Sequence, residues 1–172
     1  MLSVRSITGL TYFYDMKYRL LTQKELEPLS QDFTAFLIVN GVHNEEWMQL
    51  NAEDPEKATA LVGLFSDAVL QIVYEKMRFV EFRSMDSCMV FHFKPDELEL
   101  ISLNRKAGSE ADLSTPESIH EALTKRPGEL AWFKTAKPYK EAREMEIHKL
   151  LEQGCFVSSG EFWDALEKVV RD

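Results

Sequence analysis

The sequence predicts an α+β fold, and three observations carry the prediction. Amphipathic, helix-period stretches crowd the N-terminal part of the chain. Three short strand-like segments follow, joined by connections too short for a parallel crossover, so they must run antiparallel. Helical patterns then return. Helices and strands segregated in this way make α+β rather than α/β. The expected arrangement is an N-terminal helical layer packed on a three- or four-stranded antiparallel meander, with a C-terminal helical subdomain. The division expected along the chain is an arm or mis-assigned start over 1–15, helices plus sheet over 16–104, a linker or mobile loop over 105–114, and the helical subdomain over 115–172.

Each element has a local cause. Thr22 and Glu25 have the spacing of a capping box, which satisfies two orphan amides at a helix start. Leu26, Leu29, Phe33, Phe36 and Leu37 then share one face. Pro28 removes a backbone donor, so this helix is expected to kink there or begin later. Asn40-Gly41 ends it, because both tolerate the left-handed conformation. A short helix over 44–51 follows. Asp54-Pro55, a carboxylate N-cap and a first-turn proline, opens the clearest helix, with Ala58, Leu61, Val62, Phe65, Ala68, Val69, Ile72 and Val73 as its stripe. The segments 78–84, 88–93 and 98–103 are short, rich in β-branched and aromatic residues, and bounded by turn-like SMDS and KPDE. Thr115-Pro116 starts a helix to Lys125, and ELAWFKT is a candidate fourth strand. Lys137-Pro138 is expected to open a helix to Gln153, closed by Gly154. Ser158 and Glu161 form a second capping-box pattern before a stripe of Phe162, Trp163, Leu166, Val169 and Val170.

Composition sets the outer bounds. A hydrophobic share of 45% supports an ordinary packed core without staples. The two cysteines, Cys88 and Cys155, stand far apart and in no CxxC pair, which suits reduced, mostly buried thiols in the cytoplasm. A net charge of −9 repels nucleic acid and anionic membranes at long range, so neither is an expected partner. The first fifteen residues lack the continuous apolar run and small-residue cleavage site of a secretory signal. No apolar run reaches the ~20 residues of a membrane span.

Thr22 to Glu25, Phe33 to Gly41, Glu46-Trp47 and Phe65-Ser66-Asp67 together resemble an uncharacterised family of small Bacteroidetes proteins, known as a domain of unknown function. The resemblance covers about 16–103. It implies a cytoplasmic bacterial protein with an extension before Met16, and it brings no activity and no catalytic residue with it.

Three clusters have the residue types that chemistry needs. The stretch 125–143 holds Lys125, Arg126, Lys134, Lys137, Lys140 and Arg143 against Glu129 and Glu141, with Trp132, Phe133 and Tyr139 interleaved. Cations beside aromatic rings can hold phosphate or stack a base, and a helix N-terminus near Pro138 would add backbone donors. The plain alternative is a strand–loop–helix with solvated lysines. Second, His148 with Glu141, Glu144 and Glu152 shares one helix face, and Glu117-x-x-His120 has a spacing used in di-iron bundles; one such motif is too few, and a solvated face with i,i+4 pairs explains it as well. His120, His148 and Glu144 are thus the metal candidates, and no metal or other cofactor is expected. Third, Cys88 and His92 face the same way in a strand but lie roughly 13 Å apart along it, too far for a nucleophile and its base. Ser66-Asp67 lacks a nucleophile elbow, and no phosphate-binding glycine loop occurs.

A chain with a complete set of core-forming elements and no site motif is expected to be a non-catalytic protein-binding or assembly component. Its partner is another protein or a second copy. The expected surface is Trp132, Lys134, Lys137, Tyr139, Lys140 and Arg143, with Phe133 and Trp163 among the aromatics that would mark it. The alternative is a phosphate- or nucleotide-ligand protein or enzyme using 125–143.

Overall fold

The computed structural model describes residues 15–171. The expected arm, apart from Asp15, lies outside them. The described chain forms two compact units that divide at Val73/Tyr74, inside one long helix.

The first unit is helical. Thr22 caps α1 (Gln23–Leu26), and the capping box closes as expected: Thr22 Oγ1 accepts from Glu25 N–H, and Glu25 accepts from Thr22 N–H. Hydrogen bonds from the Arg19 guanidinium, chiefly, hold the Glu25 carboxyl down to about 2. Pro28 has the consequence its missing donor requires. A 3₁₀ turn (Glu27–Leu29) separates α1 from α2 (Ser30–Val39). Gly41, at φ 78°, ends α2, and Gly41 and Val42 donate back to Ile38 O and Leu37 O. α3 runs Asn44–Glu53. Asp54 caps α4 (Pro55–Lys76) by accepting from Lys57 N–H. Phe33 touches Trp47 and Phe65, with ring centroids 5.2 and 5.1 Å apart, so α2, α3 and α4 meet through aromatic rings.

By length and composition α4 alone, among the described residues, could cross a membrane. Ala58, Leu61, Phe65, Leu70 and Tyr74 are buried along it, whereas Ile72 and Val73, expected in the stripe, are exposed. Ser66 and Asp67 are also buried; the Ser66 hydroxyl donates to Val62 O within α4, and both residues bond beyond the helix as well. Asp67 accepts from the backbone amides of Lys17 and Tyr18 at 2.7 and 2.9 Å, and Ser66 Oγ accepts from Leu21 N–H at 3.0 Å. The Phe-Ser-Asp motif is therefore a tether that binds the extended segment 17–21 to α4. Asp67→Ala orphans two amides and is expected to cost ~2 kcal/mol. Faster hydrogen exchange at Lys17 and Tyr18, together with a lowered urea midpoint, would register it.

The second unit is built on a sheet. Strands β1 (Phe79–Arg83), β2 (Ser87–Phe93) and β3 (Glu97–Arg105) form the expected meander, and β4 (Leu130–Pro138) and β5 (Phe156–Val157) extend it to the order β4-β3-β2-β1-β5, antiparallel throughout. One face presents Cys88, Val90, Ile101 and Leu103 to α5 (Pro116–Lys125) and α7 (Gly160–Arg171), where Ile119, Ala122, Trp163 and Leu166 complete a buried cluster. α6 (Arg143–Glu152) contributes the fully buried Ile147.

Three expectations change here. The stretch 106–114 is no spacer: Leu113 is fully buried in the cluster and donates to Met85 O. The C-terminal stretch supplies β4 over the candidate fourth strand and adds an unexpected fifth, β5. The helix expected from Pro138 opens at Arg143, because residues through Pro138 are paired with β3. The final cap also moves one residue on. Ser159 Oγ accepts from Phe162 N–H, while Ser158 donates its hydroxyl to Glu81.

Candidate functional site

The basic, aromatic stretch becomes an edge strand and the turn after it. Among the described residues nothing pairs with the outer side of β4, and only Leu130 of its residues is buried. The opposite edge is β5, two residues long. A short strand is one of the ways in which proteins blunt an edge; β4 lacks that protection.

The ladder fixes which groups face outward. Lys106 N–H donates to Glu129 O at 2.8 Å, and Arg105 N–H donates to Asp86 O on the other side of β3. Antiparallel bonding alternates. Hence Ala131, Phe133, Thr135 and Lys137 turn their peptide groups toward β3. Trp132, Lys134 and Ala136 turn theirs away from the sheet. Flanking them, the side chains of Trp132 and Phe133 are 36% and 51% exposed.

The cations, by contrast, are occupied. Lys134 Nζ lies 2.5 Å from Glu167 and 3.6 Å from Glu99, 5.5 Å from the centre of the Trp163 ring. Lys137 pairs with Glu146 at 3.6 Å, and Glu146 also accepts from Lys140 N–H at 2.7 Å. Glu146 is thus held by the segment before α6, while the helix itself starts at Arg143 and not near Pro138, and has no side-chain cap. Arg143 donates Nη1 to Tyr74 O and Nη2 to Met77 O and Phe93 O, a structural clamp rather than a ligand arm. Tyr139 gives its hydroxyl to Lys94 O at 2.6 Å, and burial raises its pKa. Trp163, expected on the surface, is 3% exposed. Of the expected surface residues, Trp132 and Phe133 are exposed, Trp163 is buried, and Tyr139 and Arg143 are half-buried with their polar groups bonded to backbone carbonyls.

The metal candidates do not converge. His120 is exposed on α5, Glu144 lies 3.6 Å from Arg143, and His148 Nδ1 is 3.1 Å from the Tyr74 hydroxyl. Among the described residues no group of three or more His, Cys, Asp or Glu could hold a metal. Burial pushes the Cys88 thiol up to about 12, far from a nucleophile's range.

One cluster went unnoticed in the sequence, because its members come from separate strands and a helix. His92 stacks on Phe79 with centroids 4.4 Å apart and meets Trp163 at 5.2 Å. Its Nδ1 is 3.4 Å from Glu99, near enough for charge attraction but without the alignment of a hydrogen bond, so the nitrogen is unsatisfied. Desolvation depresses the pKa below the ordinary 6.5 and outweighs the pull of Glu99; Lys94 and Arg78 push the same way as desolvation. Between the depressed value and 6.5 the unfolded chain holds a proton that the folded chain does not. Stability is therefore expected to fall as pH drops through 6.5 and to level off below the folded pKa. His92→Gln should flatten that slope in urea titrations across the same pH range.

The fold and this edge define an α+β protein whose antiparallel sheet, among the described residues, leaves one long strand open. The chain belongs to DUF6495, a family of unknown function whose pattern matches residues 16–171, so the likeness seen over 16–103 continues through the C-terminal third. No curated protein and no solved structure matches it.

Proposed function

We propose that this chain is a non-catalytic, cytoplasmic bacterial protein that binds or assembles with another protein chain through the edge of β4. The observation behind this reading is the union of two features on one strand. Trp132, Lys134 and Ala136 offer peptide groups that no described residue pairs, and Trp132 and Phe133 flank them with exposed aromatic surface. An added strand would bind these groups by β-augmentation, with the backbone giving affinity and the rings giving contact area. The phosphate-ligand alternative has less behind it, because Lys134, Lys137 and Arg143 already serve Glu99, Glu167, Glu146 and backbone carbonyls.

Affinity purification from the native host tests the reading. A stoichiometric partner held by the wild-type chain should be lost with Trp132→Ala/Phe133→Ala. A doubly substituted chain that keeps every partner would overturn it.

A further inference from the structure

We infer that the occupant of this edge is a second copy of the chain, its β4 lying antiparallel to the first about a two-fold axis at Phe133; this rests on the reading of β4 as a binding edge. In that register the outward peptide groups of Trp132 and Lys134 meet those of the partner's Lys134 and Trp132 as hydrogen-bonded pairs. Phe133 stands opposite the partner's Phe133 in a non-hydrogen-bonded pair, where side chains approach closest. Glu129 stands opposite the partner's Lys137, and Lys137 opposite the partner's Glu129; Lys137 is half-exposed in its 3.6 Å pair with Glu146, and Ser109 occupies one Glu129 oxygen, so the ammonium would gain the other as a second carboxylate contact. The strand is thus complementary to itself in backbone, ring and charge, as a two-fold interface requires.

Competing registers lose this match. Moving the axis one residue toward the C-terminus, to Lys134, puts Lys137 opposite the partner's Ala131 and separates it from Glu129. Moving it one residue the other way puts Lys137 opposite the partner's Pro127 and separates it from Glu129. Opposite charges directly across a strand pair stabilise it, and of these registers the Phe133 axis alone sets Lys137 against the partner's Glu129.

The lysines on β4 invite the opposite conclusion, since charge and proline on an edge commonly prevent pairing. Here the ammonium of Lys134 is drawn onto Glu99 and Glu167, away from the strand's outer side. Pro138, at the end of the strand, lies beyond the outward donors of Trp132, Lys134 and Ala136. The residues that would defend this edge leave its centre open.

Sedimentation of the full chain over a wide dilution range tests the inference. The wild type should dimerise. Glu129→Lys and Lys137→Glu, each alone, should weaken the dimer by roughly tenfold, and the two together should restore it. Phe133→Cys in a Cys155→Ser background should form an intermolecular disulfide on mild oxidation, because paired Cα atoms at such a position lie about 4.5 Å apart. Thr135→Cys should not, since the same axis leaves its two copies roughly 13 Å apart. This cross-link does not depend on the charge variants folding. A wild-type monomer at all concentrations overturns self-pairing, as does a dimer that cross-links through Thr135→Cys and not Phe133→Cys. Either result leaves the binding-edge reading to the host purification, where a different partner lost with Trp132 and Phe133 would sustain it.

Discussion

Trp163→Ala is expected to destabilise the protein by about 4 kcal/mol. The indole is 3% exposed and belongs to the cluster formed by Val90, Ile101, Leu103, Ile119 and Leu166. Truncation removes its buried area and leaves a cavity that a sheet on one side and two helices on the other cannot close. It also strips the ring from beside His92 and from beneath the Lys134 ammonium. With water admitted, the pKa of His92 should climb back toward the ordinary value and the acid-side loss of stability should shrink. Circular dichroism during urea unfolding, rather than tryptophan fluorescence, measures both effects. Trp132→Ala, on the exposed edge, should move the midpoint by well under half as much. Equal costs at the two positions would contradict the placement of one ring in the core and the other at a surface.

The part of this architecture legible in the sequence is the part with local causes. Capping residues and apolar periodicity fixed the starts of α1, α4 and α5, and alternating β-branched and aromatic residues marked the meander. β4 is legible as far as Thr135 and no further, because Lys137-Pro138 looks the same at a helix start as at the end of an edge strand. Proline is acceptable there since no neighbour needs its missing N–H. The two residues of β5 carry no pattern at all. Trp163 differs: its place in the α7 stripe with Leu166 argues for burial, aromatic richness argues for a surface, and the stripe prevails. The cation cluster misled for a third reason. Counting charges along 125–143 finds few acids nearby, but Glu99 and Glu167 arrive from β3 and α7 only once the sheet forms.

Arg143→Ala should cost about 3 kcal/mol, and its size separates the two roles this residue could have. A ligand-binding arginine on a surface is dispensable for folding. This one closes two element ends at once. α4 terminates at Lys76, and Arg143 donates to Tyr74 O in its last turn, which also accepts from Met77 N–H, and to Met77 O just beyond the helix. The positive charge also opposes the negative end of the helix dipole. Its second nitrogen reaches Phe93 O at 3.3 Å, where β2 ends, and the guanidinium lies 5.8 Å from the centre of the Phe93 ring. No other side-chain shape spans these acceptors. Lysine keeps the charge but offers a single point of donation, so Arg143→Lys should recover less than half of the loss. The amides whose exchange depends on the α4 terminus and on the end of β2 should lose protection together in both variants. A cost below about 1 kcal/mol, the range of an exposed ion pair, would mean that the carbonyls find water instead, and Arg143 would again be available to an anion.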